Sequence, residues 1–144
     1  MLKKILLLII MCVTMLTISS CVVTSVEYHV ALTCDQFTGN AKYIYNSDVA
    51  MEVGDKIYLE LCSNRTTGFR WEYEMTTEGI VAEEDYDYHE PEEGVVGAAG
   101  TELWTFEAVK TGTTEIKMEY SQPWEGGTKA EWTYTLTVTV ESAE

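Results

Sequence analysis

Few residues in this chain have the chemistry of a catalyst. Among 144 residues only His29 and His89 are histidines and four are cysteines, so a base or nucleophile must come from these or from the acids. Neither histidine stands at a zinc-ligand spacing or in a Ser, Cys and His signature. Cys34 or Cys62 with a distant histidine would make a thiol nucleophile, but an exported pair more often forms a disulfide. The acidic run from Glu83 to Glu93 offers oxygens to a hard cation. It lacks the Asp-x-Asp-x-Asp-Gly spacing of a calcium loop and reads as a solvated strand leading into a loop. The residue types therefore point to no catalytic group, metal or cofactor, and chemistry gives way to recognition.

Recognition has better candidates. Cys62-Ser63-Asn64-Arg65-Thr66-Thr67-Gly68-Phe69-Arg70-Trp71 is a polar, turn-prone stretch between two strand-like runs. Asn64 can hydrogen-bond backbone groups ahead of it and Gly68 can take positive φ, so a compact loop presenting Thr66 and Thr67 is expected; a plain hairpin connection is the alternative. Further on, Gly97-Ala98-Ala99-Gly100 is a small-residue loop. Gln122-Pro123-Trp124 puts an indole between a stiffening proline and the pair Gly126-Gly127, making Trp124 an anchor candidate unless it folds back on the domain. Trp71, Trp104 and Trp132 fall within strand patterns and are expected in the core.

The elements that must hold these loops are strands. Lys56 to Cys62 alternates with period two, as do Phe69 to Met75, Thr114 to Tyr120 and Trp132 to Val140, while no part of the mature chain keeps helical periodicity over three turns. Turns fall at Gly54-Asp55, Thr76 to Gly79 and Thr111-Gly112, and Gly39-Asn40 marks another in the less legible segment 22–45, where Val30 to Thr33 suggests an edge strand. The architecture predicted is an all-β, immunoglobulin-like sandwich with Greek-key connections. In an antiparallel meander alternate connections share a pole, which places the Thr-Thr loop, the Gly97 to Gly100 loop and the Trp124 loop together. A rigid scaffold with decorated loops at one end loses little entropy on binding.

The length suits one domain behind a leader. Lys3 and Lys4 precede a short apolar run to Ile18, as in an export signal over residues 1–20, with 21–45 a linker and 46–144 the domain. Ile18-Ser19-Ser20-Cys21 resembles the lipobox of bacterial lipoproteins, which implies that Cys21 carries diacylglycerol at the outer face of a membrane; the alternative is an ordinary secretory signal. Once the signal is removed, seven basic residues face twenty-four acidic ones, a formal charge of −17. That charge opposes nucleic acid and anionic surfaces, aids solubility and would steer a basic partner. Cys34 and Cys62 remain, and one disulfide between them is expected, with two free thiols as the alternative.

The three loops together resemble the chagasin family of cysteine-protease inhibitors, whose binding loops read Asn-Pro-Thr-Thr-Gly, Gly-x-Gly-Gly and Arg-Pro-Trp in this order. The resemblance covers about Asp48 to Val140. It implies a monomeric immunoglobulin-like inhibitor of papain-like cysteine proteases, not an enzyme, that occupies the active-site cleft without chemistry of its own. Carried over, Asn64, Thr66, Thr67 and Gly68 match the central loop, Gly97 and Gly100 the second, Pro123 and Trp124 the third, with Arg65, Phe69, Ala98, Ala99 and Gln122 completing the expected contact set. Arg65 replaces a proline, so the central loop loses a fixed φ and gains a charge, which is expected to loosen binding or change the preferred protease; Gln122 replaces an arginine, and Ala98-Ala99 departs from the glycine pattern. A surface adhesion or ligand-binding module using the same pole is the alternative function.

Overall fold

A computed structural model describes residues 25–37, 43–91 and 97–142. The strands are β1 (Glu27–Leu32), β2 (Tyr43–Glu52), β3 (Lys56–Ser63), β4 (Arg70–Met75), β5 (Val81–His89), β6 (Gly100–Ala108), β7 (Gly112–Ser121) and β8 (Trp132–Glu141). They form two four-stranded sheets, ordered β1-β3-β6-β5 and β2-β8-β7-β4. The leader through residue 24, with Cys21, and the turn at Gly39-Asn40 lie outside the described residues.

Alternation explains the core. In β3, Ile57, Leu59 and Leu61 are fully buried; β8 turns Tyr134, Leu136, Val138 and Val140 inward, and β7 turns Thr114, Ile116, Met118 and Tyr120 inward. These faces close on Phe106 and Ala108 of β6, so each sheet gives one apolar face to the sandwich. The threonines of β8 and the charges of β7 take the other parity. Trp71 is buried as expected, while Trp104 and Trp132 are only partly buried against the core.

The pairing departs from a simple antiparallel meander in two places. β1 runs parallel to β3, and β2 runs parallel to β8 over its whole length. Consecutive strands cross between the sheets except for the hairpins β5–β6 and β7–β8. The polar arrangement of the loops survives, because each crossing still reverses direction. The connections after β3, β5 and β7 leave one end, and those after β2, β4 and β6 leave the other, where Gly54 N–H donates to Ala108 O and Val109 N–H to Ile80 O. The connection from β1 to β2 also falls at the loop end.

That connection is cross-linked. Cys34, in a 3-10 turn spanning Cys34–Phe37, is bonded to Cys62 near the end of β3, 28 residues on, as expected from the cysteine count. Breaking the bond with reductant, or with the paired changes Cys34→Ser and Cys62→Ser, is expected to lower the unfolding free energy by about 3.5 kcal/mol, the chain-entropy value for such a loop. Urea melts with and without reductant measure this; coincident midpoints would show that the cross-link constrains neither state.

Candidate functional site

The central loop is a short 3-10 turn, Arg65–Thr67, begun by Asn64 and ended by Gly68. Asn64 Oδ1 accepts from Thr66 N–H at 3.2 Å and from the Thr66 hydroxyl at 2.6 Å. Its carbonyl accepts from Thr67 N–H at 3.1 Å and from the Thr67 hydroxyl at 2.6 Å. The turn is therefore satisfied from within, while Arg65, Thr66 and Thr67 stay exposed. Gly68 sits at φ 80°, the left-handed conformation that stops the turn.

Asn64 and Gln122 tie the neighbouring loops to this turn. The Asn64 side-chain amide donates to Gly97 O at 2.8 Å, joining the second loop to the first. The Gln122 amide donates to Thr67 O at 3.3 Å, joining the third, and Gln122 Oε1 accepts from Thr128 N–H within its own loop. Trp124 is 49% exposed, and its indole lies against Gly68 so closely that a Cβ there would stand 2.4 Å from Trp124 Cη2. The indole is neither free of the surface nor folded away. It lies beside the Thr-Thr turn with one face open, and Pro123 next to it is exposed.

The structure divides the expected contact residues into two groups. Asn64, Arg65, Thr66, Thr67, Gly68, Gly97, Gln122, Pro123 and Trp124 are at or close to the surface of one continuous end. Gly100 instead begins β6 in a buried position, where an added Cβ would meet His89 O at 2.3 Å; its need for glycine is close backbone packing. Ala99 packs on the core, leaving Gly97 as the exposed glycine of that loop, with Ala98 intermediate. Phe69 is half-buried and stacks on Tyr120 with ring centroids 5.2 Å apart. Tyr120 in turn stacks on Trp132 at 4.4 Å, and its hydroxyl accepts from Asn64 N–H at 2.8 Å. Burial raises the Tyr120 pKa, so the phenol stays neutral and keeps this role at ordinary pH. An aromatic floor thus carries the loop.

Arg65, which lacks the fixed φ of a proline, is held by its neighbours. Its guanidinium lies 3.8 Å from the Tyr88 ring centroid and 5.9 Å from that of Tyr86, and it donates to the Tyr86 hydroxyl. Tyr86 passes a hydrogen bond at 3.0 Å to Glu102, a fully buried carboxylate on the inward face of β6. Glu102 also accepts from the Ser63 hydroxyl at 2.6 Å and lies 3.4 Å from Trp71 N–H. Burial, and then the charge of Glu102, raise the Tyr86 pKa. A buried carboxylate is tolerable only when so partnered, and here the partners run out to the loop. Glu102, Tyr86 and Tyr88 were not among the sequence candidates. Glu102 did leave a signal, since it shares the parity of Trp104, Phe106 and Ala108 and so points a charge at the core.

Cutting this clamp is expected to weaken binding through this end of the domain about fivefold for Arg65→Ala, matching about 1 kcal/mol of cation–π ordering. Arg65→Pro, which restores a fixed φ, should recover the loss. Dissociation constants for Arg65→Ala, Tyr88→Ala and the double variant measure the coupling. Additive losses would show that the stacked pair does not order the loop.

The described residues hold no group of three or more potential metal ligands. What the site offers is shape: a short convex turn, braced on both sides and carried on aromatic rings.

Comparison with known proteins agrees with this geometry. The profile of the family described as "Chagasin family peptidase inhibitor I42" matches residues 50–138, which include all three loops. The chain is 33% identical to Amoebiasin-2 of Entamoeba histolytica over 87 residues, 60% of this chain and 71% of that protein. It is 32% identical to Chagasin of Trypanosoma cruzi over 82 residues, 54% of this chain and 74% of that one. Its fold is similar to that of the cysteine protease inhibitor EhICP2 from Entamoeba histolytica, with a TM-score of 0.61 and 25% identity, covering 80% of this chain and 97% of that structure. With the family profile matching well over half of its length and three braced loops at one end of a β-sandwich, the chain belongs to the chagasin family of peptidase inhibitors.

Proposed function

We propose that this domain inhibits papain-like cysteine proteases reversibly and competitively, acting as a monomer whose Thr66-Thr67 turn enters the active-site cleft. The Gly97 loop and the Pro123-Trp124 loop brace against the cleft walls. The observation that carries the reading is the pair of hydrogen bonds, Asn64 to Gly97 O and Gln122 to Thr67 O, that makes three separate loops one rigid face. Rigidity matters because little entropy is then lost on binding, and because a turn held at both ends resists the extended form a protease needs to cleave. The naming of EhICP2 as a cysteine protease inhibitor supports the choice of target over an adhesive partner. The mature domain is held at the outer face of a bacterial membrane by diacylglycerol on Cys21, a reading supported by the Ser19-Ser20-Cys21 ending of the apolar leader.

Residues 22–144 titrated against papain and a cathepsin L-type enzyme, with a small fluorogenic substrate, test the inhibition. The expected result is a rise in apparent KM at constant kcat. No inhibition of either enzyme at micromolar concentration would overturn the proposal and favour an adhesive role for the same face.

A further inference from the structure

We infer that the end of the sandwich opposite the loops is a membrane-facing surface, and that the domain stands upright on the bilayer with its inhibitory loops turned outward. This rests on the proposed acylation of Cys21. β1 is parallel to β3, and β3 runs toward the loops, so the chain enters the domain at the far end. It is fixed there. Val26 N–H donates to Asp55 Oδ1 at 2.7 Å, Val26 O accepts from Lys56 N–H at 3.0 Å, and Asp55 is itself buried in the turn between β2 and β3. Only residues 22–25 separate Cys21 from this attachment, which limits the tether to about 17 Å even when extended.

Apolar side chains are also exposed at that end. Five large hydrophobic residues are exposed among the described residues, and three of them, Val26, Val53 and Val109, lie at this end. Val53 and Val109 flank the Gly54 N–H to Ala108 O hydrogen bond, and Val26 meets the same turn through Lys56 and Asp55. The same end also exposes Glu27, Glu52, Glu78 and Glu141 beside Lys110, and the flanks are acidic as well. β5 exposes Glu83, Glu84, Asp85 and Asp87, and the outer face of β4 exposes Glu72 and Glu74. Carboxylates lie at both places, so it is the short tether from Cys21 to the fixed Val26, together with the three valines, that turns this end toward the bilayer. β3 alone spans about 25 Å from that end to the Thr-Thr turn, so the turn is held clear of the headgroups, where a soluble protease can reach it.

The test uses the acylated full-length protein, purified from membranes and reconstituted into phosphatidylcholine and phosphatidylglycerol vesicles with bromine on the acyl chains. An indole is added by Val109→Trp or, in a second variant, Val53→Trp. The native Trp71, Trp124 and Trp132 lie at the loop end and act as the internal control. The expected result is about a twofold fall in the fluorescence of the added indole on bromination, with the native tryptophans unchanged, as for side chains placed in the headgroup boundary. Intact mass separates the two ways to fail. Diacylglycerol on Cys21 with both added indoles unquenched, or with the native tryptophans quenched equally, would overturn the orientation while the anchor stands. A mature protein without the acyl mass would overturn the anchor and the orientation together, leaving the inhibition proposal untouched.

Discussion

Thr67→Arg is expected to raise the inhibition constant against papain at least about a hundredfold, a loss near 3 kcal/mol that is typical of a central interface contact. Thr67 is exposed at the tip of the turn, and its hydroxyl folds back onto Asn64 O, so the side chain presents a small, closed profile. An arginine there adds a long charged group to the part that must fit a cleft, and a misfit at the tip cannot be relieved, because the loop is fastened to Gly97 and Gln122. The fold should survive. The turn keeps its cap from Asn64 to Thr66, and the change removes the Thr67 hydroxyl's bonds to Asn64 O and to the buried Tyr120, so the thermal midpoint should fall by only about a few degrees. A change under threefold in inhibition, with the fold intact, would mean that Thr67 does not enter the cleft.

Gly68→Ala should be nearly as damaging by a different route. The left-handed conformation at φ 80° costs an alanine about 1 kcal/mol, and the added methyl would stand 2.4 Å from the Trp124 ring. The ring has to move. Either the turn opens or Trp124 swings away from the Thr-Thr tip, so the central and third loops are disturbed by one methyl group. Inhibition is expected to weaken about thirtyfold, combining backbone strain with the displaced anchor. Trp124→Ala supplies the comparison: if Gly68→Ala acts through the indole, the double variant should be little worse than either single one. Fully additive losses would show that the contact between Gly68 and Trp124 does not serve binding.

Much of this arrangement is legible along the chain, and the reasons are local. Period-two alternation in residues 56–62, 114–120 and 132–140 places β3, β7 and β8 and their inward faces, because the pleat turns each residue type to its side regardless of the partner strand. The shared end for the three loops follows from strand direction alone. The pairing of Cys34 with Cys62 follows from there being no other partner once Cys12 and Cys21 are set aside.

What escapes the sequence depends on contacts between distant residues. Nothing near Glu27 states that β1 will lie parallel to β3, or near Tyr43 that β2 will lie parallel to β8; those choices are made by sheet edges needing partners. Arg65 looks like a loss of stiffness when compared only with the proline it replaces. Tyr86 and Tyr88, more than twenty residues on, restrain it through stacking and a hydrogen bond. Gly100 looks like part of a flexible glycine loop, yet its lack of a side chain serves the backbone of His89.

Physical occupancy of the protease cleft is tested most directly by protection of the catalytic thiol. Activated papain, freed of reductant, is mixed with increasing amounts of residues 22–144 and challenged with iodoacetamide, and alkylation of its active-site cysteine is followed by mass. If the Thr66-Thr67 turn fills the cleft, the alkylation rate should fall in step with loss of activity, and Thr67→Arg should restore the rate of the free enzyme. A bound, inhibited papain whose thiol is alkylated as fast as in the free enzyme would contradict it.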